Sequence, residues 1–179
     1  MTVYVALLRG VNVGGHNKLP MASLRASATE CGFGEVETYI QSGNAVFTSR
    51  LGTAKVATSL HDAILAETGV DSRVVLRTAG DLANVVIDNP FLARGVDAKL
   101  LHVSFLYEES VPTLDAVDAP LYAPDEVEVI GAHAYLHTPN GLGRSNIATE
   151  PMIRKLGIQG TTRNWRTVTT LAEMAAAMG

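Results

Sequence analysis

The chain holds a single cysteine, Cys31, in 179 residues. One thiol excludes an internal disulfide framework and any CxxC metal or redox pair. No His, Asp or Arg pattern surrounds it to lower its pKa, so Cys31 is expected to be an apolar filler near a helix end rather than a nucleophile. Long apolar runs are missing as well: no segment approaches the roughly 20 consecutive apolar residues of a membrane span. The amino-terminal MTVYVALLRG has no basic stretch ahead of its apolar residues and is broken by Arg9 and Gly10, which does not fit a signal peptide. The expectation is a cytoplasmic protein with no membrane partner.

The named motifs of nucleotide, phosphate and acyl chemistry are also absent. There is no GxGxxG, no GxxxxGK[ST] and no GxSxG. The five histidines do not form a ligand set. His133 and His137 are four apart, but on a predicted hairpin rather than a helix, and no third ligand accompanies them. No metal and no cofactor are expected. Whether the chain is an enzyme is left open, since no pair of acids is marked out for acid–base work.

What remains is a composition of 47% hydrophobic and 18% charged residues, ordinary for a globular chain of this length. The net charge of −4 argues against a nucleic-acid partner. That charge is unevenly spread. Residues 1–18 carry two cations and no acids, residues 19–140 seven cations and sixteen acids, and residues 141–179 five cations and two acids. A fold that gathered the two cationic ends would make a positive patch on an acidic body.

Val3 to Leu8 is an apolar run of strand length. Pro20 to Cys31 reads as a helix, with Met21, Leu24, Ala28 and Cys31 on one face and Gly32 after its end. Glu35 to Ile40 and Ala45 to Thr48 are predicted strands around the turn Gln41-Ser42-Gly43-Asn44. Thr53 to Thr68 is a second helix closed by Gly69, and Ser72 to Leu76 a strand. The order βαββαβ then recurs: strand Leu100 to Leu106, helix Ser110 to Val117, strands Val127 to Ile130 and Ala134 to His137, helix Arg144 to Leu156, and a short strand Thr161 to Arg163. Val168 to Met178 is an additional helix. The pattern predicts an α+β fold, a tandem duplication of ferredoxin-like βαββαβ units with an extra C-terminal helix. The expected division is residues 1–78, a connecting segment 79–99 with a helical turn before Asn89, and residues 100–179.

This topology has a functional consequence. In a βαββαβ unit the first two strands run parallel, so the loop after strand one and the turn after strand two lie at the same end of the sheet. Arg9, Asn12, Gly14, Gly15 and Lys18 should therefore sit near Gln41, Ser42 and Asn44. Glycines let backbone N–H groups converge, and Arg9 and Lys18 supply a planar fork and a point charge. This combination suits a phosphate or carboxylate. Two later stretches add to the candidate set. In GLGRSN, Arg144 precedes a predicted helix start where a second anion cradle is possible, with a helix cap as the plainer reading. In TTRNW, Arg163 and Asn164 adjoin Trp165, which is either a packing anchor or the wall of a pocket.

Taken together, LLRGVNVGG, Met21 and Leu24, TYIQSGNAVF, GRSN, and TTRNW followed by Thr167 and Leu171 resemble a bacterial family known as domain of unknown function 1697. The resemblance runs along nearly the whole chain. It implies a duplicated ferredoxin-like fold and carries no activity, substrate or catalytic residue. Three functions follow as expectations: binding of a small anionic or phosphorylated ligand at the loop-and-turn edge, a protein-interaction or scaffold role, and a single-strand nucleic-acid module. The last requires strand aromatics, and Phe47 is nearly alone on its strand.

Overall fold

The computed structural model describes residues 1–179 and shows a mixed α+β architecture of two four-stranded antiparallel sheets and five α-helices. The chain divides into two compact units, Met1–Asn84 with Thr170–Gly179, and Val85–Thr169.

The first unit runs β1 (Thr2–Leu8), α1 (Met21–Glu30), β2 (Gly34–Tyr39), β3 (Asn44–Ser49), α2 (Thr53–Thr68) and β4 (Val74–Thr78). Its sheet has the order β2-β3-β1-β4. β3 lies antiparallel between β1 and β2, which therefore run parallel to each other. Apolar continuity explains the central strands: from Val3 to Leu8 every residue of β1 is buried, as is all of β3. α2 presents Val56, Leu60 and Ile64 to the core at four-residue spacing. It ends at Gly69, whose φ of 70° lets its N–H reach the Leu65 carbonyl at 2.9 Å. The core centres on Phe47, stacked on Phe33 with ring centroids 4.6 Å apart. Each such fully buried side chain is worth about 1.5–3 kcal/mol in removal from water.

The second unit contains β5 (Leu101–Leu106), β6 (Glu126–Ile130), β7 (His133–His137), α4 (Glu150–Lys155) and β8 (Gly160–Asn164), in the sheet order β6-β7-β5-β8. α3 (Ala79–Ile87) and α5 (Trp165–Ala177) complete the chain. No helix is long and apolar enough to cross a membrane.

Three elements differ from the sequence-based expectation. Residues 110–117 form no α-helix; they hold one 3-10 turn at Leu114–Ala116, and a second follows at Ala119–Leu121. Pro112 and Pro120 supply no N–H, and the N–H of Thr113 donates to the distant Leu156 carbonyl at 2.9 Å instead of along a helix. The expected helix from Arg144 to Leu156 is reduced to α4, which starts at Glu150 with Pro151 in its first turn. The segment from Ala79 holds a full helix rather than a single turn. Its start is a capping box: the Thr78 N–H donates to Asp81 Oδ2 at 2.8 Å, and the Asp81 N–H donates back to Thr78 Oγ1 at 3.2 Å.

Candidate functional site

β1 ends at Leu8, and the chain then leaves the sheet as a loop that returns at Leu19. Its base is fixed by backbone bonds: Leu8 N–H to the Gly43 carbonyl at 2.9 Å and Arg9 N–H to the Arg73 carbonyl at 3.0 Å. Ser72 Oγ donates to the Arg9 carbonyl at 2.8 Å. Val11 and Leu19 are buried and serve as its apolar feet.

Asn12 organises the rest. Its Nδ2 donates to the Leu19 carbonyl at 2.8 Å and to the Gln41 carbonyl at 2.7 Å, while its Oδ1 accepts the Leu19 N–H at 2.8 Å. One carboxamide thus closes the loop on itself and ties it to the turn after β2. The backbone of Asn12 adopts a φ of 54°, which Asn tolerates better than most residues. Asn17 adds a second brace, its Nδ2 donating to the Gly10 carbonyl at 3.1 Å.

The turn is braced from its own side. Asn44 is fully buried, and its Nδ2 donates to the Tyr39 carbonyl at 3.0 Å and to Ser42 Oγ at 2.9 Å. Gly43 has a φ of 77°, and a Cβ there would come within 2.5 Å of Val11 Cγ2. Loop and turn approach too closely for any side chain at this position. Ile40 has a φ of 45°, a strained conformation for a β-branched residue, and is 46% exposed.

The structure therefore brings the loop of Arg9, Asn12, Gly14, Gly15 and Lys18 together with the turn of Gln41, Ser42 and Asn44. Asn12 and Asn44 are consumed in holding the shape. Arg9, Gly14, Gly15, His16, Lys18 and Gln41 are exposed. No acid occurs between Arg9 and Leu19, so the surface of this loop is cationic with two glycine amides among the charges.

The remaining candidates lie in the second unit. At GRSN the backbone does converge on an anion, and the anion is the chain's own. Buried Asp125 Oδ2 accepts from Ser145 Oγ at 2.9 Å, the Asn146 N–H at 2.7 Å and the Ile147 N–H at 3.2 Å. Arg144 is exposed beside this cradle. α4 starts only after this cradle, with Thr149 at its N-cap position and Pro151 in its first turn. Nothing in local spacing pairs Asp125 with residues twenty positions later.

Arg163 stands on β8 opposite Val103 of β5. It is 7% exposed, and its Nη1 donates to Thr161 Oγ1 at 2.8 Å and to the Thr162 carbonyl at 3.0 Å. Burial pulls its pKa down to about 10. Asn164 caps α5, its Oδ1 accepting the Thr167 N–H at 2.8 Å, and Trp165 is the buried first residue of that helix. Cys31 is half-buried, with Sγ 3.3 Å from the Ser59 carbonyl; burial pushes the thiol pKa up, with Glu30 and Asp62 adding to the shift.

The fold is similar to that of a solved structure described as the conserved bacterial protein SP0830 from Streptococcus pneumoniae. The TM-score is 0.77 at 23% identity, covering 98% of this chain and 99% of that one. No curated protein matches the chain. Residues 1–135 match the family described as "Protein of unknown function (DUF1697)", which takes in the clamped loop, the turn and the whole first sheet. The chain belongs to that family.

Proposed function

We propose that the protein binds a small anionic or phosphorylated ligand over the 9–18 loop, at the end of the first sheet. The observation that carries this reading is the Asn12 clamp. The loop uses Asn12 and Asn17 to hold its form and leaves cations and glycine amides at its surface. Such bracing pre-shapes the loop, which lowers the ordering cost of binding an anion there. Arg9 and Lys18 would hold the charge, with Gln41 and Ser42 orienting the ligand from the turn. We also read the two sheets as ferredoxin-like units in tandem, the second having exchanged its first helix for 3-10 turns, and we place the protein in the cytoplasm on its single, half-buried cysteine.

The test is a thermal-shift panel of inorganic phosphate and small phosphorylated and carboxylated metabolites. A ligand at 100 times its Kd adds about 2.7 kcal/mol of apparent stability. The shift should disappear in Arg9→Ala and Lys18→Ala. A panel with no shift, or variants that respond like the native chain, would contradict the reading.

A protein-interaction role draws on a different observation: Val13 and Ile40 are 65% and 46% exposed, on the same loop and turn. The nucleic-acid reading has no comparable support, because Phe47 is buried against Phe33 and offers no face to a base.

A further inference from the structure

The second unit contains a cavity of about 500 Å³ that the loop site does not use. It is lined by Ala98 and Lys99 ahead of β5, His102 on β5, and Trp165, Arg166 and Thr169 on α5, with Asn164 at the helix start. The volume lies in the range of sites that hold small molecules.

Its lining is two-sided in chemistry. The inner part is formed by His102 and Trp165, 8% and 6% exposed. His102 Nδ1 lies 3.4 Å from Thr138 Oγ1, and burial holds the imidazole pKa below its ordinary value, so the ring is neutral at pH 7. A neutral imidazole and an indole, with half-buried Thr169, make an uncharged interior. At the solvent side stand Lys99 and Arg166, both exposed and neither engaged by a carboxylate. The amino-terminal turn of α5 adds its positive potential to the same region. No acid lines the cavity.

We propose that this cavity binds a monoanion with an apolar body: a carboxylate or phosphate carried on a ring or short chain, its charge held by Lys99 and Arg166 and its body set against Trp165. Trp165 and Asn164 then act in a site of their own, apart from the loop of the first unit. Lys99 and His102 were not marked by the sequence, because they lie more than sixty residues before Arg166 and share no motif with the TTRNW stretch that it follows.

Trp165 is the only tryptophan, so its indole N–H gives one resolved signal in a ¹H–¹⁵N spectrum. Benzoate, octanoate, phenyl phosphate and inorganic phosphate are titrated while that signal is followed. The expected result is a saturable shift with at least one of the three amphipathic anions, and inorganic phosphate about tenfold weaker or more because it lacks the apolar body. A stronger response to phenyl phosphate identifies phosphate as the preferred group; a stronger response to benzoate or octanoate identifies carboxylate. Lys99→Ala with Arg166→Ala, both at exposed positions, should weaken binding about tenfold or more. Thr169→Phe should block it by filling the cavity while leaving both charges in place. Arg9→Ala and Lys18→Ala should leave the indole titration unchanged, which separates this site from the loop site. The proposal is overturned if no probe gives a saturable indole shift, if the double variant binds like the native chain, or if inorganic phosphate binds as well as phenyl phosphate.

Discussion

The two sheets share a strand order, β2-β3-β1-β4 and β6-β7-β5-β8, yet they treat their polar loops in opposite ways. In the first unit the donors of Asn12 and Asn17 face inward, onto carbonyls of the loop and turn, and the cations stay at the surface. In the second unit the donors of residues 145–147 converge on a buried carboxylate, Asp125, supplied by the chain. One loop is held in shape without an internal anion. The other is held in shape by one. The helices differ as well: α1 and α2 are 10 and 16 residues long, whereas α4 has 6. An anion-binding sequence pattern can therefore be a structural joint, as it is at Asp125, and the ligand proposed for the 9–18 loop sets that loop apart from it.

The largest effect is expected from emptying the filled cradle. Asp125→Ala leaves three donors without their acceptor and should lower unfolding stability by about 3–4 kcal/mol in urea denaturation. Added acetate or formate should recover part of that loss in the variant and do nothing to the native chain. A cost below that of the next substitution would remove the asymmetry between the units.

Asn12→Ala deletes three hydrogen bonds at a partly exposed position and places alanine at positive φ. A loss of about 2–3 kcal/mol is expected, read by the same denaturation. Asn12→Gly should cost less, since glycine accepts the backbone conformation. Equal costs for the two would show that backbone conformation is irrelevant there.

The smallest effects are in proton uptake, and the units oppose each other in these as well. In the first, His61 lies 2.9 Å from Asp71 and 3.0 Å from Asp62, hydrogen bonds that raise its pKa above 6.5. Its contribution to stability is complete below about pH 6.5 and is lost as pH rises through the raised value. In the second, burial lowers the pKa of His102 below 6.5. The unfolded chain then takes up this proton more readily, so stability falls as pH drops from about 6.5 toward the depressed value. An NMR titration of the ring C–H signals should give a midpoint above 6.5 for His61 and below it for His102. The reverse order would contradict the environments described.

The sequence shows the fold best where burial is two-sided and ends are marked. The apolar run of β1 is visible as such, and α2 is legible to the residue because Gly69 terminates it. The meeting of Asn12 with the turn at Gln41 follows from strand direction alone. What the sequence hides are partners chosen at long range. Asp125 sits twenty residues before its cradle, and the Thr113 N–H donates forty-three residues ahead, to Leu156. Neither leaves a periodic trace. Two signals were present but weaker than the apolar pattern over them: Pro151, which marks the first turn of α4, and Thr78-Ala79-Gly80-Asp81, a capping box that announces α3.

The central contrast is a cationic loop, proposed as an anion site, against a cradle filled by Asp125, and inorganic phosphate tests it directly. In a ¹H–¹⁵N titration the amides of Gly14, Gly15 and Lys18 should shift saturably while those of Ser145, Asn146 and Ile147 stay fixed. Still amides at 14–18, or movement at 145–147 instead, would contradict the account.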